Sequence, residues 1–279
     1  MKTDLHIHTY YSDGKFSPDE IAALAKEAGV EFLSMTDHDS MEGLEEKCSA
    51  AQAAGLKFVS GWEVSSYDVI GKVHVLGYGC KINAEYLRFL EERKRGAFLR
   101  IEDSLNKANA YFGLHLTMDD VEREHVKKEA PLHTMHAVRA YARVLNAGKN
   151  ALKMKLGQIY LNFFAYGKPA YSELCRPLPI DAVNVIHATG GIACLAHPGR
   201  IPYSPAREPF MIDLCRAGLD GIECFYTTHT PEETRYFCDF AKKHGLYQTG
   251  GSDFHDFGGC AVLGKPAFHP DEKLLRILL

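Results

Sequence analysis

Short strand-like segments alternate with amphipathic helical segments at both ends of the chain, and this alternation limits the possible folds. Residues 4–8 alternate polar and apolar side chains as a half-buried strand does, and residues 31–36 predict a second strand. A helix is predicted between them, with Ser17 at its N-cap, Pro18 in its first position and Glu20 in its third. This order of elements predicts an α/β fold with a mostly parallel sheet.

The middle of the chain differs from its two ends. Residues 83–171 carry helical patterns and many charges but little strand signal. Strand-like segments return at residues 191–196 and 220–225. We therefore expect a discontinuous α/β domain, residues 1–82 and 172–279, interrupted by a helical insert over residues 83–171.

Composition narrows the class of partner. The 279 residues carry a formal net charge of −4, which gives no general attraction to nucleic acid or to an anionic membrane. No apolar run is long enough to span a bilayer and no signal peptide is evident, so we expect a cytoplasmic protein without a membrane or an obligate protein partner. The 8 cysteines include no C-x-x-C pair, which argues against a zinc ribbon and predicts mostly buried, reduced thiols.

Histidines and carboxylates recur at the predicted strands, mostly where a strand ends. His6 and His8 are two residues apart on a strand, so both rings project from one face and can bind one ion. Each such residue alone could be structural, because half-buried histidines and turn-forming aspartates are common. Together they place ligand-type side chains where α/β barrels carry their active sites. The candidate metal ligands are His6, His8, Asp13, His38, Glu63, His74, His197, Asp253 and His255.

These residues lie in extended motifs. The motifs are His6-x-His8-Thr9, Ser12-Asp13-Gly14, Thr36-Asp37-His38-Asp39, Gly61-x-Glu63, His74 in its strand, Ala196-His197-Pro198-Gly199 and Gly251-Ser252-Asp253-x-His255. As a set they resemble the PHP (polymerase and histidinol phosphatase) family. The resemblance implies a distorted (β/α)7 barrel with two or three divalent metal ions. It is strongest to the branch whose helical insert caps the active site and whose substrates are nucleotides or other small phosphate esters.

The resemblance also implies how the ligands are shared. One metal ion would take His6, His8, Glu63 and Asp253; a second would share Glu63 and add His74 and His197; a third would take Asp13, His38 and His255. Nitrogen and oxygen donors without thiolates favour Mn²⁺, which we expect first, or Fe²⁺ or Zn²⁺, over an oxygen-site ion such as Ca²⁺.

One motif of the branch is altered here. The insert of such proteins often carries Arg-Pro-His, whereas this chain has His133-Thr134-Met135-His136, in which only His136 matches. This difference makes the usual substrate of the branch uncertain for this chain, but it does not change the expected type of reaction.

The expected chemistry is hydrolysis of a phosphate ester by a metal-bridging hydroxide that attacks phosphorus. The candidate catalytic residues are His136, Arg200 and Asp253. Arg200 is the first candidate for a phosphate contact, because its planar fork matches phosphate oxygens. His136 is a candidate for phosphate binding or proton donation, and Lys168 is a further candidate for substrate binding.

Other functions remain open from the sequence. A 5′-end exonuclease acting on short oligonucleotides would use the basic runs Arg93-Lys94-Arg95 and Lys127-Lys128 as phosphate contacts. A non-catalytic, metal-stabilised partner module would be expected to have lost some ligands, and here every ligand position is filled. An amide or lactone hydrolase would share the H-x-H motif.

Overall fold

The structure of the protein is a computed structural model, and it describes residues 1–127, 130–147 and 151–279. The chain divides into two compact units, one formed by Met1–Phe89 with Pro177–Leu279 and the other by Leu90–Arg176. The insert predicted over residues 83–171 overlaps this second unit, but it begins several residues earlier and also ends several residues earlier.

Each unit has a different secondary structure. The strands all lie in the first unit and are β1 (Thr3–Asp4), β2 (Phe32–Leu33), β3 (Lys57–Phe58), β4 (Gly61–Asp68), β5 (Gly71–Tyr78), β6 (Ile192–Leu195), β7 (Gly221–Tyr226) and β8 (Tyr247–Gly251) among the described residues. The α-helices are α1 (Pro18–Glu27), α2 (Leu44–Ala53), α3 (Ala84–Phe112), α4 (Met118–Glu122), α5 (Thr134–Leu145), α6 (Leu156–Ile159), α7 (Pro179–Ala188), α8 (Arg207–Arg216), α9 (Pro231–His244) and α10 (Glu272–Leu278).

The strands form two sheets. β1, β2 and β3 pair in parallel in one sheet, and the other has the order β4-β5-β6-β7-β8. In this second sheet β5 runs antiparallel to both β4 and β6, whereas β6, β7 and β8 are parallel. The α/β fold is confirmed, but the parallel arrangement is interrupted at β5. The reason is that β4 and β5 form a hairpin with Asp68 opposite Gly71, and no helix separates them.

Two isolated bridges link the sheets. Ile7 pairs with Phe254, and His38 pairs with Glu63, both in parallel. Because single bridges do not extend a sheet, the strands of the described residues form two sheets and not one closed barrel. Both bridges contain or adjoin candidate metal ligands, so the backbone at these points fixes side chains from distant segments next to each other.

The first strand is shorter than the sequence pattern predicts. The ladder of β1 ends at Asp4, whose buried carboxylate accepts backbone hydrogen bonds. Its donors are the N–H groups of His6 at 3.3 Å, Ser252 at 2.9 Å and Gly264 at 2.7 Å. Burial raises the pKa of Asp4, although these hydrogen bonds oppose the shift. The side chain of Asp4 thus joins the start of the chain to the segments that follow β8.

Helix α1 covers the first sheet and begins as its sequence predicts. Ser17 accepts the N–H of Glu20, and the Glu20 carboxylate accepts the N–H of Ser17, which forms a capping box. The buried face of α1 includes Ile21 and Ala25, which belong to one hydrophobic core with Leu33 of β2. This packing supports the segments on which His6 and His8 lie.

The cysteines differ in burial more than predicted. Cys80, Cys194 and Cys224 are buried thiols, as expected. Cys175 and Cys260, which lie in loops, are exposed, and the remaining three are half-buried, so the prediction that most of the thiols are buried is wrong.

The second unit has its own core, formed by residues of α3, α4 and α5 such as Ile101, Val121 and Tyr141. Helix α3 continues through Gly96, where an added Cβ would lie 2.8 Å from the Cβ of Cys175, so close packing accounts for this glycine.

Within the described ranges, none of the helices is both long enough and apolar enough to cross a membrane.

Candidate metal centre

Glu63 is the centre of a cluster of histidines in the first unit. It lies near the start of β4, and its side chain is fully buried. Imidazole nitrogens surround the carboxylate: Oε1 lies 2.7 Å from Nδ1 of His74 and 3.0 Å from Nε2 of His197, and Oε2 lies 3.3 Å from Nε2 of His6, 3.2 Å from Nε2 of His8 and 3.1 Å from Nδ1 of His38. A carboxylate in this position can bridge metal ions bound by different histidines.

The candidate ligands fall into three overlapping groups, within each of which the donor atoms all lie within 4.8 Å of one another. The groups are His6, His8, Glu63 and Asp253; His38, Glu63 and His74; and His8, Asp13, His38 and His255. The first matches one expected ligand set in full. The second contains His38 where the resemblance implies His197, but Nε2 of His197 also lies 3.2 Å from Nδ1 of His74.

Asp253 follows β8 and is held from several sides. Its backbone N–H donates to the carbonyl of His6 at 2.7 Å, and its φ of 56° is a left-handed conformation that is unfavourable for aspartate. Its Oδ1 lies 3.1 Å from Nε2 of His8, while its Oδ2 accepts from the hydroxyl of Tyr226 at 2.8 Å and from Arg200 at 3.1 Å. One oxygen of Asp253 therefore faces the histidines, and the other is occupied by neutral and cationic donors.

The orientation of His255 follows from its backbone contact. Its Nδ1 lies 2.8 Å from the carbonyl of Asp253, which can only accept, so Nδ1 carries the proton. With Nδ1 protonated, the neutral ring leaves Nε2, which lies 3.1 Å from Oδ1 of Asp13, to coordinate an ion. This is the tautomer that a metal ligand requires.

The charges in this cluster influence one another strongly. Burial alone would raise the pKa of Glu63, but the histidines around it, His74 first, hold it well below its usual range. Burial alone would lower the pKa of His8, yet the nearby carboxylates of Asp253 and Glu63 raise it to about 10.

The donor set fits divalent metal ions. Among the described residues, the buried atoms Nε2 of His6, His8 and His74 and Oε2 of Glu63 have no hydrogen-bond partner. Buried polar atoms without partners cost free energy, and metal coordination would satisfy all four of these atoms. The cluster contains nitrogen and oxygen donors but no thiolate, which suits a divalent first-row metal.

Glu223 was not identified from the sequence. It lies in β7, is fully buried, and places Oε1 3.0 Å from Nδ1 of His6, while its Oε2 accepts the backbone N–H of His197 at 2.7 Å. Because a carboxylate accepts, Nδ1 of His6 carries a proton, and the neutral ring leaves Nε2, near Glu63 and Asp253, to coordinate an ion. The only sequence signal was a single acidic residue within an apolar strand.

Lys47 was also missed, since it lies in a helix with polar character. Its side chain is buried, and its Nζ lies 2.7 Å from Oδ2 of Asp37. Asp37 also accepts from the N–H and hydroxyl of Thr9 and from the hydroxyl of Ser12. These contacts fix the loop between His8 and Asp13.

The other predicted site residues lie in different places. Arg200 lies in the first unit beside Asp253 and Tyr226. His136 and Lys168 belong to the second unit. His136 is buried in α5, where its Nδ1 accepts the N–H of His133, and Lys168 is exposed in a loop.

Comparison with known proteins agrees with this site. Residues 4–130 match the PHP domain family. The chain is 31% identical over 274 residues to a 5′-3′ exoribonuclease of Haemophilus influenzae, covering 95% of this chain and 93% of that protein. It is 32% identical over 265 residues to a 3′,5′-nucleoside bisphosphate phosphatase of Chromobacterium violaceum, covering 90% and 86%. It is also 32% identical over 263 residues to a phosphoribosyl 1,2-cyclic phosphate 1,2-diphosphodiesterase of Eggerthella lenta, covering 91% and 94%.

Solved structures show the same fold. An amidohydrolase of Chromobacterium violaceum, solved with bound sulfate, superposes with a TM-score of 0.85 at 29% identity, covering 99% of this chain and 96% of that one. A protein of Bifidobacterium adolescentis superposes with a TM-score of 0.85 at 23% identity, covering 99% and 95%. Fold and site together define a metal-dependent hydrolase of phosphoric ester bonds. The chain belongs to the PHP family, as its motifs predict.

Proposed function

We propose that this chain hydrolyses a small phosphate ester with the help of two or three divalent metal ions, Mn²⁺ being the first choice and Fe²⁺ or Zn²⁺ the alternatives. The observation that carries the proposal is the position of Glu63, which belongs to two of the three overlapping groups of donor atoms. We also propose that the two bridges at Ile7 and His38 close the sheets into a distorted (β/α)7 barrel.

The ligand sets proposed are those implied by the family. His6, His8, Glu63 and Asp253 would hold one ion, Glu63, His74 and His197 a second, and Asp13, His38 and His255 a third. Bound ions would neutralise phosphoryl oxygens and lower the pKa of water, which makes a nucleophile available near neutral pH. Glu223 keeps His6 in the tautomer that presents Nε2 to an ion.

Arg200 is suited to bind the phosphate group of the substrate. Its Nη1 is anchored 3.1 Å from Oδ2 of Asp253 and 3.3 Å from the hydroxyl of Tyr226, while 54% of the side chain is exposed. An anchored guanidinium loses little freedom when its other N–H groups bind a phosphate. The side chain of Asp253 is therefore a proposed metal ligand that also holds Arg200, the proposed phosphate contact, in place.

The contacts of the basic run on α3 give little support to an oligonucleotide substrate, so we favour a small ester. Arg93 is buried, and its guanidinium donates to the carbonyl of Cys175, so it does not offer a surface phosphate contact. Lys94 pairs with Glu91 at 3.2 Å. In the other basic run, Lys128 lies outside the described residues. The relatives nevertheless include a 5′-3′ exoribonuclease, which keeps short oligonucleotides in the test.

The predicted capping role of the insert remains a prediction, as do substrate contacts from His136 and Lys168. The cytoplasmic location also remains a prediction.

The proposal is tested by phosphate release from Mn²⁺-loaded protein across a panel of substrates. The panel contains nucleoside bisphosphates, phosphoribosyl cyclic phosphates, histidinol phosphate, sugar phosphates and short 5′-phosphorylated oligonucleotides. A cyclic diester is assayed with and without added phosphomonoesterase, because opening its ring alone releases no phosphate. His8→Asn and Asp253→Asn should abolish activity. The matched surface variants His115→Asn and Asp239→Asn should keep it.

Each outcome has a defined meaning. Release from a small ester that both site variants lose supports the proposal. Preference for oligonucleotides would replace it with the exonuclease function. Metal-loaded protein that acts on no member of the panel would contradict it.

A further inference from the structure

The turn after β6 carries two of the proposed site residues. His197 is a metal-ligand candidate and Arg200 is the proposed phosphate contact, and the N–H of Arg200 donates to the carbonyl of His197 at 2.9 Å. His197 has a φ of 27°, a conformation that costs free energy for any residue except glycine. Something outside the turn must therefore hold it in place.

The start of the turn is held by Glu223, whose Oε2 accepts the N–H of His197 at 2.7 Å. The hydrogen bond is charge-assisted and fully buried, so it is among the stronger contacts in the site. It fixes the turn at the ligand end but leaves the segment before Arg200 without a similar anchor from Glu223.

His229 holds that segment. Its Nε2 lies 3.1 Å from the N–H of Gly199, and its Nδ1 lies 3.0 Å from the carbonyl of Cys224. The carbonyl can only accept and the N–H can only donate, so His229 must be neutral, with its proton on Nδ1 and its lone pair on Nε2. Burial lowers the pKa of His229, which also favours the neutral ring.

The ring is fitted closely against the turn. A Cβ at Gly199 would lie 2.6 Å from Cδ2 and 2.8 Å from Nε2 of His229, so the contact requires glycine. On its other sides the ring packs against Tyr226 at 5.1 Å and Phe237 at 4.9 Å between centroids. Its position is therefore fixed by packing as well as by two hydrogen bonds.

A β-bulge in β7 places Glu223 and Tyr226 on the same side of the strand. The register with β8 shifts between Glu223 and Phe225, so that Cys224 is the additional residue. In a regular strand Glu223 and Tyr226 would face opposite sides, but after the bulge both reach the site. His229 follows three residues later.

We propose that His229 is a positioning residue for the reaction: through the N–H of Gly199 it holds the turn that presents Arg200 to the phosphate group, separately from metal binding. The inference rests on the proposed function. It assigns a role to a histidine that its sequence context identifies only as a structural or surface residue.

Two variants separate this role from simple packing. In His229→Gln the amide oxygen can reach the position of Nε2 and accept from Gly199. In His229→Asn the shorter amide can still donate to Cys224 but cannot reach Gly199. We measure kcat, KM for the preferred substrate, inhibition by inorganic phosphate and bound Mn²⁺ for both, with His115→Asn as the surface control.

The expected result is a split between binding and metal content. His229→Asn should raise KM and the inhibition constant of phosphate about tenfold, the worth of one hydrogen bond, with bound Mn²⁺ unchanged. His229→Gln should stay close to the wild type. Equal behaviour of the two variants, or loss of Mn²⁺ in His229→Asn, would overturn the proposal.

A spectroscopic measurement keeps the test independent of activity and folding. Nitrogen-15 NMR of the wild-type protein should show His229 as the neutral tautomer with Nδ1 protonated at neutral pH. An imidazolium or the opposite tautomer would refute the contact between Nε2 of His229 and the N–H of Gly199. If the wild-type enzyme releases no phosphate from any substrate while the expected tautomer is observed, the proposed function fails but this contact of His229 is supported.

Discussion

The Nδ1 atom of His6 lies 3.0 Å from Oε1 of Glu223, although 217 residues separate them along the chain. Through this contact a residue of β7 that is not itself a proposed ligand decides which nitrogen of His6 faces the metal site. The same carboxylate accepts the N–H of His197, so it supports two proposed ligands at once.

Replacing Glu223 by Gln should weaken metal binding. An amide cannot accept at both of its ends, so one of the contacts to His6 and His197 is lost, and partners of metal-bound histidines are typically worth about 10- to 100-fold in affinity. Competition with a chelator measures the effect. Glu232→Gln, at an exposed position, is the matched control. Equal Mn²⁺ affinity in both variants would show that Glu223 does not orient His6.

Glu63→Gln should lose more metal than Asp13→Asn. Glu63 belongs to two of the groups of donor atoms, whereas Asp13 belongs to one. We expect the Glu63 variant to retain at most one ion per chain and the Asp13 variant to lose a single ion, because a shared ligand serves more than one ion. Mass spectrometry of bound metal measures both. Identical metal content in the two variants would contradict the shared position of Glu63.

Metal binding should release protons, and its affinity should rise with pH. The nearby carboxylates of Asp253 and Glu63 overcome the effect of burial and raise the pKa of His8 to about 10 in the absence of metal. His8 is therefore protonated at neutral pH, and an ion must displace that proton, so a lower pH favours the proton over the metal. Calorimetric titration with Mn²⁺ in buffers of different ionisation enthalpy counts the protons. Heats that do not depend on the buffer would rule out this competition.

Lys47→Met should destabilise the protein by about 3–5 kcal/mol, because it leaves the carboxylate of Asp37 buried without its cation. Urea unfolding in the presence of a chelator measures the free energy without a contribution from bound metal. Lys26→Met, on the exposed side of α1, should change stability by less than about 0.5 kcal/mol. A loss for Lys47→Met as small as for Lys26→Met would show that the ion pair contributes little.

Much of the local structure could be predicted from the sequence because its causes are local. The capping box of Ser17 and Glu20 forms as predicted. Thr230, Pro231 and Glu233 repeat the same pattern in the sequence, and a capping box forms there at the start of α9, which Gly245 ends in a left-handed conformation. The interactions that start and end these helices lie within a few residues, so the sequence contains them in full.

The direction of β5 could not be predicted in the same way. A strand pattern gives burial and alternation but not the direction of pairing, so the sequence predicts a mostly parallel sheet and not the hairpin of β4 and β5.

The sequence by itself determined the chemistry of this protein: the types of donor, their spacing in short motifs and the family to which they belong. Only the tertiary structure decided how those donors are supported. Glu223 reaches His6, Lys47 reaches Asp37, and a bulge aligns Glu223 with Tyr226. Ligand motifs are short because side chains at neighbouring positions of one strand can share an ion. Their supporting contacts join residues far apart in the chain, and their geometry exists only once the strands have paired.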